Sequence, residues 1–338
     1  MIAVREVLCA TALEHPARAA LRYSFFVAER FNATLSVVHA RDFVQGGRPN
    51  AYVSGQRRYE QLATELHELE QLDAVVRSVP TAGPGRATTH VVDGNVVDAL
   101  VTCADRYHAD LVVLGNSLRR ASSSEHEESV AGRIGDRVLC PVLTVPHTKA
   151  SSLLRIQRIL CPVQMLPGGT KDVIAWVVLM ARQFGAIVEV LHDRAAEQAS
   201  YHDDVEDALR VAGVATTRSA CARGARLSDI ALQRVADGRC DLIVMSATAA
   251  DGEPSAALAS IRRDCATPVL SVPPSGANRL TAGSSFRGGA TLAGESSDAR
   301  AARCSEPPRT THEPCFSGGR ARARARERTN WTTRNAHG

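Results

Sequence analysis

Along the first 150 residues, short apolar, β-branched runs alternate with longer stretches whose apolar residues recur at helical spacing. The runs at 4–9, 34–39, 88–92, 110–114 and 141–145 predict strands. The stretches at 15–31, 54–78, 95–108 and 127–137 predict helices. Strand–helix alternation of this kind predicts βαβ units, a parallel sheet and right-handed crossovers. DLVVLG (110–115) and DLIVMS (241–246) are almost continuously apolar, as strands buried on both faces are. A second set of strands is predicted at 157–161, 187–191, 214–219, 241–245 and 269–272.

The second set is a copy of the first. VREVLCA (4–10) matches IQRILCP (156–162), aligning Cys9 with Cys161. RFNATLSVVHARD (30–42) matches QFGAIVEVLHDRA (183–195), aligning His39 with His192. ADLVVLG (109–115) matches CDLIVMS (240–246), and CPVLTVP (140–146) matches TPVLSVP (267–273). Four blocks in one order, with shrinking separations, mean duplication with deletions in the second copy. The first copy keeps a longer second helix, 54–78, than its counterpart near 197–211; Leu62, Leu66, Leu69 and Val76 predict its apolar stripe. The expected organisation is a domain at 1–148, a linker at 149–155, a domain at 156–274 with its own core, and a tail at 275–338.

Composition sharpens this picture in two places. The chain of 338 residues is 44% hydrophobic but only 4% aromatic, so its cores are expected to be built from Val, Leu, Ile and Ala. The net charge of +4 is a property of the tail, where Arg is abundant and Lys, Val, Ile and Met are missing; the body is near neutral. Such a tail buries too little apolar surface to offset its ordering entropy and is expected to be disordered. RARARARER (320–328) reads either as a nonfunctional extension or as an arm for anionic surfaces. The body offers no nucleic-acid surface. The nine Cys include no Cys-x-x-Cys and no Cys/His pair at zinc-ligand spacing; Cys9, Cys140 and Cys161 read as small core hydrophobes. The N-terminus lacks a signal-peptide pattern, and the most apolar run, VIAWVVLMA (173–181), is far shorter than the roughly 20 residues of a membrane span, so a cytoplasmic chain is expected.

The strand ending in HARD (39–42) or HDRA (192–195), DLVVLG, and then SVAGRIGDRVLCPVLTVP (129–146) resemble a universal stress protein domain, and the second copy repeats the pattern. The resemblance implies two Rossmann-like α/β domains, each a five-stranded parallel sheet of order 3-2-1-4-5 flanked by helices. It also implies pairing of the two domains through their last strands, 141–145 with 269–272, and allows homo-oligomers.

Many proteins of that family bind ATP. Their motif, Gly-x2-Gly-x9-Gly-Ser/Thr after the fourth strand, lets backbone N–H groups and a helix N-terminus approach phosphates. In the first copy Gly115 matches the first Gly, but Leu118 and Glu128 replace the other two; Ser129 keeps the hydroxyl. A carboxylate at the mouth of a phosphate cradle repels the ligand by roughly 1–4 kcal/mol. The acid expected after the first strand is Ala12. In the second copy Ser246 and Ala249 replace the first two glycines, the last two motif positions fall near Ser255 and Ala256, and the acid aligns with Gln164. LPGGTKD (166–172) lacks phosphate-loop spacing and reads as a turn with a Thr170 or Asp172 cap. No cofactor is therefore expected, ATP being disfavoured in both copies. His39 and His192 end equivalent strands without a recurring nucleophile and read as structural. The leading expectation is a noncatalytic tandem stress protein acting through protein or small-ligand contacts. The alternatives are a nucleotide-binding regulator with an altered pocket, and a hydrolase or transferase of the nucleotide-binding α/β group.

Overall fold

The structure is a computed structural model that describes residues 2–13, 18–41, 55–79, 87–116, 130–146, 154–163, 170–192, 199–220, 226–248 and 255–274. All of them fall in one compact unit, Met1–Ser285. Phe286–Gly338, a second unit, lies outside the described residues, as do the expected linker, most of it, and the tail.

In the first half β1 (Glu6–Ala10), α1 (Arg18–Phe31), β2 (Thr34–Arg41), α2 (Gly55–Arg77) and β3 (Ala87–Asp93) are followed by α3 (Val96–Arg106), β4 (Leu111–Asn116), α4 (Val130–Gly135) and β5 (Val142–Pro146). The second half repeats them as β6 (Arg158–Val163), α5 (Thr170–Phe184), β7 (Ile187–His192), α6 (Ala199–Val211), β8 (Thr216–Ala220), α7 (Leu227–Ala236), β9 (Leu242–Ser246), α8 (Ala256–Asp264) and β10 (Val269–Val272). Local chemistry marks the boundaries twice over. Asn32 after α1 and Gly185 after α5 take the left-handed conformation, at φ 52° and 67°. Ala33 N then donates to Ala28 O, and Ala186 N to Ala181 O, closing each helix with the same wide turn. Asn and Gly are the residues that tolerate this geometry. At the start of α3, Asn95 Oδ1 accepts from Val97 N at 3.1 Å.

The strands form one ten-stranded sheet, β3-β2-β1-β4-β5-β10-β9-β6-β7-β8. Each half is parallel and ordered 3-2-1-4-5, as the resemblance implies. The halves meet where β5 and β10 run antiparallel, with Leu143 opposite Leu270 and flanked by Thr144–Val269 and Val142–Ser271. Asp110 and Asp241, which open the two recurring DL motifs, clamp the strands from below. Asp110 Oδ2 accepts from Arg5 N at 2.7 Å and Glu6 N at 3.1 Å. Asp241 Oδ2 accepts from Gln157 N and Arg158 N, both at 3.0 Å. Each carboxylate thereby fixes the register of β1 on β4, or of β6 on β9.

The core differs from the expected pair of separate domains. On one face a single apolar cluster runs through both halves, joining Leu21, Val27, Leu72 and Leu143 to Trp176, Met180, Leu209 and Leu270. On the other face each half keeps its own cluster, around Leu8, Leu100 and Ile134 in one and Leu160, Ile243 and Ile261 in the other. The shared face is sealed by α1 against α5. Phe184 packs on Phe26 at 5.2 Å between ring centres and on Phe31 at 6.1 Å, with the Arg30 guanidinium over its ring. Phe26, Phe31 and Phe184 thus meet where the halves join.

Three smaller expectations are corrected. In α2, Leu62 and Leu66 are 58% and 59% exposed, and Leu72 is the buried residue. Helical spacing at these two positions does not bring burial with it. The fourth helix, Val130–Gly135, ends before the expected bound at 137, and 127–129 lie outside the described residues. β4 extends past 114 because Gly115 and Asn116 still pair with Val145 and Pro146. No helix among the described residues is long and apolar enough to cross a membrane.

Truncating Phe184→Ala removes the ring common to both contacts. Because Phe184 is half-buried, the expected loss is on the order of 2 kcal/mol, below the roughly 3–5 kcal/mol of a fully buried ring. Urea unfolding should show it as one cooperative transition at lower denaturant, since the core it serves belongs to both halves.

Candidate functional site

Parallel sheets of this order place ligands beyond the carboxyl ends of their strands, where the strand order reverses. In the first half that is the edge formed by β1 and β4, in the second the edge formed by β6 and β9. Ala12 and Gly115 are brought together there, at the ends of neighbouring strands. Leu118, Glu128 and Ser129 lie outside the described residues, and so do Gln164 and Ala249.

Around Ala12 the chain satisfies its own polar groups. Thr11 N donates to Val38 O at 3.0 Å. His39 Nδ1 lies 3.0 Å from Thr11 O, so the ring carries its proton on Nδ1 and donates to that carbonyl. His39 is thus a strut between β1 and β2. Ala12 itself is exposed and offers a methyl group where an acid would contact a ligand. Gly115 stands close to α1: an added Cβ would meet Ala20 Cβ at 3.7 Å, an ordinary contact. Packing at this spot therefore does not demand glycine.

Arg41, the arginine of the HARD segment, is the cation nearest to this edge on β2. It is held by two carboxylates, Glu68 from α2 at 3.2 Å and Asp93 at the end of β3. Its charge is spent within the fold, tying the end of β2 to the helix above and the strand beside it.

In the second half the described residues at the corresponding edge also pair within the chain. Ser246 is buried, and its Oγ accepts from Thr248 N at 3.3 Å. Ala247 N donates to Val272 O at 2.9 Å, and Ser255 N returns to Ala247 O at 3.1 Å. Ser255 is 4% exposed and caps α8, its Oγ accepting from Leu258 N at 3.2 Å. The hydroxyl that would face a phosphate thus serves the helix start, one residue before the position expected for it at Ala256, which is exposed. Thr170 is the first residue of α5, with Asp172 in its first turn complementing the helix dipole and Lys171 exposed. His192 ends β7, buried and paired in register with Val163 and Ala220.

Burial holds the thiols of the described residues in the protonated form at neutral pH. Burial pushes Cys9, Cys140, Cys161 and Cys240 up to about 12, and raises Cys103 and Cys265 as well. Among the described residues no group of three or more His, Cys, Asp or Glu is placed to hold a metal ion. The residues that sequence reasoning missed are Asp110 and Asp241. Their signal was available: an acid recurs immediately before the most apolar strand of each copy.

Fold and edge together define a doubled α/β domain, each half a parallel sheet ordered 3-2-1-4-5. Residues 3–146 match the model of the Universal stress protein family. The likeness to that family is carried by residues 3–146, and the second half repeats the same strand order. No curated protein sequence matches the chain. Among solved structures, a universal stress protein from Archaeoglobus fulgidus is similar over 80% of this chain and 97% of its own, at 13% identity and a TM-score of 0.58. A putative universal stress protein from Pseudomonas aeruginosa covers 80% of this chain and 94% of its own, at 13% identity and a TM-score of 0.50. At this identity the likeness establishes the fold alone.

Two measurements check the local chemistry. Ser255→Ala removes the α8 cap and is expected to cost about 1 kcal/mol in urea unfolding. The thiols set an alkaline limit. Their ordinary value is 9.0, and in the folded chain four of them stay protonated to about 12. The stability they contribute is full below pH 9 and is lost as pH climbs toward about 12, because the unfolded chain gives up those protons first. Urea stability measured across that window should fall less steeply in Cys161→Ala than in the unaltered chain.

Proposed function

We propose that the chain is a stress-response protein of tandem universal stress protein type that acts through protein or small-ligand contacts and does not use ATP. One observation carries the reading. In the second half, buried Ser255 occupies the helix start that would cradle a phosphate, and its own N–H is bound to Ala247 O. A triphosphate there would have to break the cap and displace that hydrogen bond. The first half supports the same reading with less. Arg41 is already paired with Glu68 and Asp93, and Ala12 supplies no polar group. His39 is engaged with Thr11 O, and the thiols are protonated, which leaves no activated nucleophile among the described residues.

Thermal unfolding with magnesium and ATP tests this reading on the full chain. No rise in Tm is expected at about 1 mM ATP. A site with micromolar affinity would instead add about 4 kcal/mol at roughly 1,000 times its Kd. A saturable rise of that size would overturn the proposal and favour a nucleotide-binding regulator with an altered pocket.

A further inference from the structure

The junction of the two halves is an approximate twofold, because Leu143 opposes Leu270 in an antiparallel pair of equivalent strands. Residues at matching places in the two copies therefore face each other across it. Gly135, which ends α4, and Arg262 in α8 occupy matching places, each six residues before the proline of the closing Pro-Val-Leu strand. They also meet. A Cβ built on Gly135 would lie 2.9 Å from Arg262 Nη2 and 3.3 Å from Nη1. Arg262 is 6% exposed, so its guanidinium lies inside the junction. It donates to Ser271 Oγ, and Ser271 Oγ donates in turn to Val142 O, at 3.1 Å, on the opposite strand. One arginine of the second half thus fills the space left by a glycine of the first and ties β10 to β5.

We propose that Gly135 and Arg262 are a matched pair that makes the two halves each other's partner and bars pairing of like halves through this face. Two second halves joined in the same way would bring two guanidiniums together on the axis, where like charges in a buried site repel. Two first halves would place glycine against glycine and leave a void without packing atoms. Only the unlike pair gives one cation, one space and a hydroxyl acceptor. Assembly of whole chains through this face is thereby disfavoured, and any larger oligomer has to use another.

The symmetry supplies a demanding test. Thr144 is the counterpart of Ser271 in β5, and its buried Oγ1 has no hydrogen-bond partner among the described residues. Exchanging the pair, Gly135→Arg with Arg262→Gly, should aim the new guanidinium at Thr144 as Arg262 is aimed at Ser271. Calorimetric Tm of the full chain is measured for both single variants and the exchanged double. Gly135→Arg is expected to lower Tm the most, and the double to recover at least about half of that loss. A double as low as the two single losses combined would overturn the proposal. Should Gly135→Arg fail to fold, Gly135→Ala gives the same information. Its effect on Tm should be more favourable in the Arg262→Gly background than beside Arg262, and an equal effect in both backgrounds would overturn the pairing.

Discussion

The backbone pairing of β5 with β10 is the constraint on which the rest of the molecule depends. Every residue of both strands is buried, although each strand would be the edge of its own five-stranded sheet. An apolar edge strand with unpaired N–H and C=O groups invites another strand. Here each half supplies that strand to the other, and the sheet continues through the junction. The consequence reaches beyond the two strands. Once the sheets are continuous, α1 and α5 lie side by side on one face, Phe26 and Phe31 close on Phe184, and the apolar cluster there becomes common property. On the other face Arg262 of α8 finds the space over Gly135 at the end of α4.

The same economy governs the strand ends, where a fold of this kind would receive a ligand. Polar groups there are turned inward to serve the chain. His39 holds Thr11, Arg41 holds Glu68 and Asp93, and Ser255 holds the start of α8. Buried polar groups are tolerated when they are satisfied, and these satisfy one another without a bound molecule. Duplication explains why the two halves diverge. One chain carrying two sites can lose the features of one without losing the pairing that the fold needs. The His39/His192, Asp110/Asp241 and closing-strand residues recur in both halves, whereas Leu118, Glu128, Ser246 and Ala249 depart from the motif.

How much of this was legible in the chain follows from how local each feature is. Strands and helices were legible because their signal is a spacing of apolar residues over a few positions, repeated twice in one order. The shared order 3-2-1-4-5 followed from a resemblance carried by DLVVLG, DLIVMS and the two closing Pro-Val-Leu strands. The asparagine and glycine turns that end α1 and α5 were written locally as well. α2 shows the limit: Leu62 and Leu66 keep helical spacing but stand exposed, because burial depends on what lies opposite, which no local pattern contains.

By itself, then, the sequence determined the duplicated α/β architecture and the burial of Cys9 and Cys161, since each rests on residue type at a given spacing. The tertiary structure alone decided that the halves share a core on one face and keep separate ones on the other. It alone converted Ser255 from a motif position into a helix cap and Asp110 and Asp241 into register clamps. Gly135 and Arg262 make the point most sharply. Each is unremarkable in its own copy, and they become a pair only because an antiparallel junction sets equivalent positions face to face across a common axis.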